Sequence, residues 1–117
     1  MHALLLVDHG SRNAEANLLS ETFGQQLAQR TGMRVYVAHM ELAEPSIATQ
    51  FAAAQAEGYD RMWVLPLFFA PGRHMRKDIP ALLEAASEST GLAYTLGREM
   101  LTDIGFLDYC AQRIQQA

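Results

Sequence analysis

Two histidines stand in settings suited to chemistry. His9 lies in "DHGSR", directly after the apolar run Leu4–Val7 and beside Gly10, which lets the backbone turn sharply and approach a ligand closely. A neutral imidazole there can take a proton or bind a borderline metal such as Co, Ni, Fe or Zn. The same ring could instead be hydrogen-bonded to loop backbone. His74 lies in "PLFFAPGRHMRKDIP", Pro66 to Pro80, which reads as the longest irregular connection in the chain. Long loops inside compact domains are more often functional than short ones. With Arg73, Arg76 and Lys77 around it, His74 is either a metal ligand or part of a solvated basic loop that caps a helix. The lead-in Leu67-Phe68-Phe69 is either core or the floor of a cleft for a flat aromatic ligand. A third stretch, "AHMELAEPS", brings His39, Glu41 and Glu44. His39 and Glu41 are two apart, so in extended chain they share a face and could act as paired ligands. Glu44 before Pro45 also fits a helix start, where the dipole favours a carboxylate.

Other chemistries lack their residues. No G-x-x-x-x-G-K-[ST] phosphate loop occurs, and no G-x-G-x-x-G follows the first apolar run. Ser11 follows His9 too closely for the G-x-S-x-G nucleophile elbow. The single Cys110 can form neither an intramolecular disulfide framework nor a cysteine zinc site. The six methionines are scattered, as core filler would be. A net charge of −4 argues against nucleic acid as the main partner. No apolar run approaches the ~20 residues of a membrane span, and "MHALLLVDHG" lacks the basic leader of a signal peptide, so no membrane partner and a cytoplasmic location are expected.

The elements that must position these residues follow from apolar patterning. Half of the 117 residues are hydrophobic and 19% charged, as in one soluble globular domain covering 1–117. Four short continuous apolar runs, Leu4–Val7, Val35–Ala38, Met62–Phe68 and Leu92–Leu96, suit strands covered on both faces. Helical stripes lie between them: Ala16, Leu19, Phe23 and Leu27, ended by Gly32; Ile47, Phe51 and Ala54 after a first helical residue at Pro45, ended by Gly58. A third stripe, Ile79, Leu82, Leu83 and Ala86, follows a cap at Asp78 and ends before Gly91. A fourth, Ile104, Leu107, Ala111 and Ile114, closes the chain. The order βαβαβαβα predicts a three-layer α/β domain with a mainly parallel four-stranded sheet. So small a sheet has an exposed edge, which suggests pairing with a second copy or a larger partner.

In a parallel sheet every strand-to-helix loop emerges at one carboxyl rim, where such folds place ligands. The loops are Asp8–Arg12, His39–Glu44, Phe69–Lys77 and Gly97–Asp103. They hold three of the four histidines and five of the nine basic residues, Arg12, Arg73, Arg76, Lys77 and Arg98.

The segments "LLLVDHGSRNAEAN", "MELAEPSI" and "VLPLFFAPGRHMRKDIP", in this order, resemble the small sirohydrochlorin chelatases of the CbiX/SirB type, the class II tetrapyrrole chelatases. The resemblance runs from about Leu4 to Pro80. It implies a chelatase-like, flavodoxin-related half-unit. It also implies ATP-independent insertion of a divalent metal, cobalt first and iron or nickel in relatives, into sirohydrochlorin. The metal is then a substrate, and no organic cofactor is expected. It further implies a homodimer with the cleft between subunits. Matched motif by motif, the catalytic, metal-binding histidines fall on His9 and His74, and the acidic metal-binding position falls on Glu41. A substrate-facing set of Ser11, Arg12, Leu67, Phe69, Arg73, Arg76 and Arg98 completes the expectation, the arginines gripping the macrocycle's carboxylates. His39 stands where relatives more often carry an aromatic or aliphatic residue. "LGREMLTD" departs from the family at the fourth loop, where many members have a further histidine and proline.

Two rival readings stay open on sequence grounds. One is a non-catalytic metal-binding protein or metallochaperone of the same fold, which would bind Co²⁺ without raising the insertion rate. The other is a phosphotransfer or phosphohydrolase enzyme, with phosphate held at the histidine-glycine turn.

Overall fold

A computed structural model describes residues 1–70 and 72–116, with the backbone alone at His74 and Met75. Four strands, β1 (His2–Asp8), β2 (Val35–His39), β3 (Arg61–Pro66) and β4 (Ala93–Leu96), form one sheet in the order β2-β1-β3-β4. Every pairing is parallel, with Asp8 opposite His39 and Val7 opposite Pro66 at the carboxyl ends. The helices are α1 (Ala14–Thr31), α2 (Ile47–Ala56), α3 (Arg73–Thr90) and α4 (Ile104–Gln115), with a 3-10 turn at Met100–Thr102. The expected α/β order and parallel sheet are therefore present.

Alternation along the strands divides the core. Ala3, Leu5, Val7, Tyr36, Ala38, Met62 and Val64 pack with Ile47, Phe51 and Ala54 of α2 and Ile79, Leu83 and Ala86 of α3. Leu6, Val35 and Val37 face the other way, towards Leu27 and Ala28 of α1. The close approach of α1 depends on buried Gly24, where a Cβ would lie 2.5 Å from Val37 Cγ2. Asn13 caps α1 by accepting from the Glu15 N–H, and Gly32 ends it with φ 70°.

Four expectations are corrected. In α1 most of the predicted stripe is turned outward: Ala16, Leu19 and Phe23 are exposed, Leu19 to 74%, and only Leu27 packs inward, because the face that meets the sheet runs through Ser20, Gly24, Leu27 and Ala28. The second helix starts after Ser46, whose hydroxyl accepts from the Thr49 N–H, so Pro45 precedes the helix. The third helix begins at Arg73, not after Asp78. The Arg76 N–H reaches the Gly72 carbonyl, and Pro80 lies inside the helix, removing one hydrogen bond there. The long irregular connection is thus mostly helical. The fourth stripe covers nothing: Ile104, Leu107 and Ile114 are 76, 66 and 76% exposed, and α4 stands against the 3-10 turn rather than on the sheet. On the α1 side Trp63 of β3 is half-exposed as a result.

The two sheet edges differ. Along β2 the Gln50 side-chain amide donates to the Val37 carbonyl, and the His39 N–H donates to the Pro45 carbonyl. Edge strand β4 is short and largely exposed.

Candidate functional site

The chain leaves β1 for β2 on one side of the sheet and reaches β3 on the other. The switch in strand order therefore falls between the carboxyl ends of β1 and β3, where open α/β sheets bind ligands. His9 follows β1 at that place. His74 follows β3, with its backbone in the first turn of α3; its side chain lies outside the described residues.

Beyond the strands, the backbone of the first two rim loops stays zipped. The Met40 N–H donates to the Asp8 carbonyl at 2.9 Å and the Glu41 N–H to the His9 carbonyl at 3.1 Å. Gly10, at φ 92°, lies against this second loop so closely that a Cβ would stand 1.9 Å from the Glu41 carbonyl oxygen. The loop itself bends at Leu42, which has φ 71°. These contacts bring His9 Nε2 to 3.0 Å from Glu41 Oε1. Both side chains are close to half-exposed, 47% and 46%. A pair so accessible contributes at most about 1 kcal/mol to stability, so a ligand can displace it at little cost. A nitrogen and an oxygen donor side by side at an open rim suit a first-row divalent cation. Among the described residues no group of three or more His, Cys, Asp or Glu is placed to hold a metal, so His9 and Glu41 stand as a pair.

His39 does not share this place. Strand β2 ends at His39 and the chain then turns, so the expected common face of His39 and Glu41 is absent. The His39 ring is fully buried on the α1 side, with Nδ1 2.6 Å from Asp8 Oδ1. Asp8 Oδ2 accepts from the Ser20 hydroxyl of α1 at 2.5 Å. Among the described residues His39 Nε2 has no hydrogen-bond partner, and Glu21 Oε1 lies 4.0 Å away. Sequence reading missed this polar cluster. Its signal was the period-two alternation that sets Asp8 on the face of Leu4 and Leu6, and His39 on that of Val35 and Val37.

The other expected residues divide. Arg12, Arg73 and Arg98 are exposed at the rim. Arg76 is 3.6 Å from Glu99, and both line a cavity of about 200 Å³ with Phe68, Ile79, Pro80 and Leu96. Phe69 is exposed and tilts against Phe106 of α4 at 5.8 Å. Leu67 instead packs with the α1-side core, and the Ser11 hydroxyl accepts from the Asn13 N–H in the turn into α1. Leu67 thus continues the α1-facing side of β3 after Leu65, and the Ser11 hydroxyl holds the turn.

A family model described as CbiX matches residues 3–117. The chain is 41% identical over 114 residues to the sirohydrochlorin ferrochelatase, chloroplastic, of Arabidopsis thaliana, an alignment that covers 96% of this chain and 51% of that protein. It is 32% identical over 100 residues to the sirohydrochlorin cobaltochelatase of Saccharolobus solfataricus, covering 86% of this chain and 77% of that one. The chain thus spans only about half the length of the Arabidopsis relative. In structure it resembles the sirohydrochlorin chelatase SirB from Bacillus subtilis subspecies spizizenii in complex with cobalt, with TM-score 0.81 and 25% identity, covering 98% of this chain and 50% of that one.

Proposed function

The chain belongs to the CbiX family, and on that premise we propose that it inserts a divalent metal, cobalt or iron, into sirohydrochlorin without ATP. Relatives named for both metals support the reading. The observation that carries it is the His9–Glu41 pair, held open at the carboxyl rim where the loops after β1 and β2 are joined.

In this reading His9 Nε2 and Glu41 hold the incoming cation, and His74 supplies a further imidazole. His9 Nδ1 faces the Gly10 carbonyl at 3.3 Å, so the ring's proton would sit there and leave the Nε2 lone pair for the cation beside the Glu41 carboxylate. Insertion then exchanges one doubly charged cation for the two pyrrole N–H protons of the macrocycle, so the ring's charge is unchanged. Glu41 and whichever imidazole has handed over its metal accept those protons. The exposed guanidiniums of Arg12, Arg73 and Arg98 grip the macrocycle's carboxylates, and Arg76 does so once it leaves Glu99. Phe69 offers an apolar wall.

The partner is a second copy of the chain, with the cleft closed between subunits. The uncovered apolar faces of α4 and of Leu18, Leu19 and Phe23 on α1 support it, because a lone copy leaves them in water. A cytoplasmic setting, with Cys110 as a free thiol, is part of the reading. The test is Co²⁺ insertion into sirohydrochlorin, followed by the macrocycle's absorbance, in His9→Ala and Glu41→Gln. Both should fall at least tenfold. Wild-type rates in both would end the proposal, and Co²⁺ binding at a background insertion rate would mark a metallochaperone.

A further inference from the structure

The buried cluster behind the rim has no part in the chemistry above, yet it touches the same two segments. Asp8 immediately precedes His9, and His39 is two residues before Glu41. Asp8 and His39 are register partners at the last position of the β1–β2 pairing. Their side chains join on the α1 side at 2.6 Å, while on the rim side His9 and Glu41 join at 3.0 Å. The Ser20 hydroxyl fixes the other Asp8 oxygen from α1. A buried carboxylate–imidazole contact in an apolar surround is stronger and more rigid than the exposed pair in front of it.

The cluster carries a cost as well. His39 Nε2 is buried without a hydrogen bond among the described residues, a cost that an apolar residue at this position would avoid. The compensating contact is on the other nitrogen. With Asp8 accepting, the Nδ1–H is fixed and the ring cannot rotate, so the ends of β1 and β2 are clamped to one another and to α1.

We infer that His39 is a positioning residue: through Nδ1 and Asp8 it sets the spacing of His9 and Glu41 in front of it. The inference rests on the reading of His9 and Glu41 as the cation's ligands. It assigns His39 no contact with metal or macrocycle.

Two side chains separate the ring's two nitrogens. Asparagine places its amide nitrogen near the position of Nδ1, within reach of Asp8; glutamine places its own near Nε2, towards Glu21. The experiment titrates Co²⁺ alone into the full chain, reading affinity and the visible cobalt spectrum, for His39→Leu, His39→Asn, His39→Gln and His9→Ala, with urea unfolding of each. His39→Leu and His39→Gln should weaken Co²⁺ binding about tenfold or more and shift the cobalt band. His39→Asn should stay within about threefold of wild type, since it keeps the clamp. Should His39→Leu not fold, the contrast between Asn and Gln decides alone. Wild-type affinity in the Leu and Gln variants, with His9→Ala defective, overturns the positioning role and leaves the metal site standing. Failure of a well-folded Asn variant to retain affinity overturns the route through Asp8. Unchanged binding in His9→Ala refutes the metal site itself.

Discussion

Replacing Gly10 by alanine should damage the site more than the fold. The added Cβ would meet the Glu41 carbonyl oxygen at 1.9 Å, about 1.1 Å inside the 3.0 Å that real Cβ atoms respect. That oxygen belongs to backbone, so no side-chain rotation relieves the overlap. The first and second rim loops must separate by roughly that amount, and His9 and Glu41, now 3.0 Å apart, move with them. Alanine at φ 92° adds a left-handed penalty of about 1–2 kcal/mol. The expected outcome is a loss of about 2–3 kcal/mol in urea unfolding, with the domain still folded. A misplacement near 1 Å costs on the order of a hundredfold in rate when chemistry depends on the geometry. Single-turnover Co²⁺ insertion, read from the macrocycle's absorbance, should fall by about that factor. Insertion within about twofold of wild type in a Gly10→Ala protein would refute the claim that this loop contact sets the site.

Other outcomes follow from single contacts. Arg76 and Glu99 face each other at 3.6 Å, so Glu99→Gln should lower KM for the carboxylate-bearing macrocycle up to about fivefold, and Arg76→Ala should raise it, each with kcat little changed. Leu107→Glu on the uncovered face of α4 should shift the protein from dimer to monomer in sedimentation, without loss of helix content by circular dichroism. The Tyr94 hydroxyl donates to Glu84 at 2.9 Å, and that carboxylate raises the phenol above its ordinary range. A raised value means stability present below pH 10 and lost as pH climbs through the folded-state value, so Tyr94→Phe should flatten the alkaline limb of the unfolding midpoint.

The order of elements along the chain was legible because all four apolar runs are short and bounded by turn residues; burial on both faces holds for β1 and β2 but not for β4, which is largely exposed, nor for Trp63 of β3. Ile47, Phe51 and Ala54 kept their predicted inward face, which buries the two bulkiest apolar side chains of α2. In α1 a glycine competed: Gly24 allows closer approach than Leu19 or Phe23, and closeness decided the face. Asp78 misled the start of α3, because a residue type common at helix caps lies here inside a helix that already begins at Arg73. Periodicity in α4 reported an apolar face correctly but could not say which surface it serves. At the site, His9 and Glu41 were readable from motif and topology. The Asp8–His39 contact was not, because it needs the register of β1 against β2, which no local pattern encodes.

The sheet has one plugged end and one open end. Gln50 occupies a carbonyl of β2 with a side chain, as a passing strand would with its backbone, and Pro45 takes the neighbouring amide. Growth of the sheet by an intruding strand is therefore obstructed at the carboxyl end of β2 and finds its freer edge beside β4, where four residues offer a short ladder. Fibrillar misassembly from the native state would be biased in the same way, towards the β4 side.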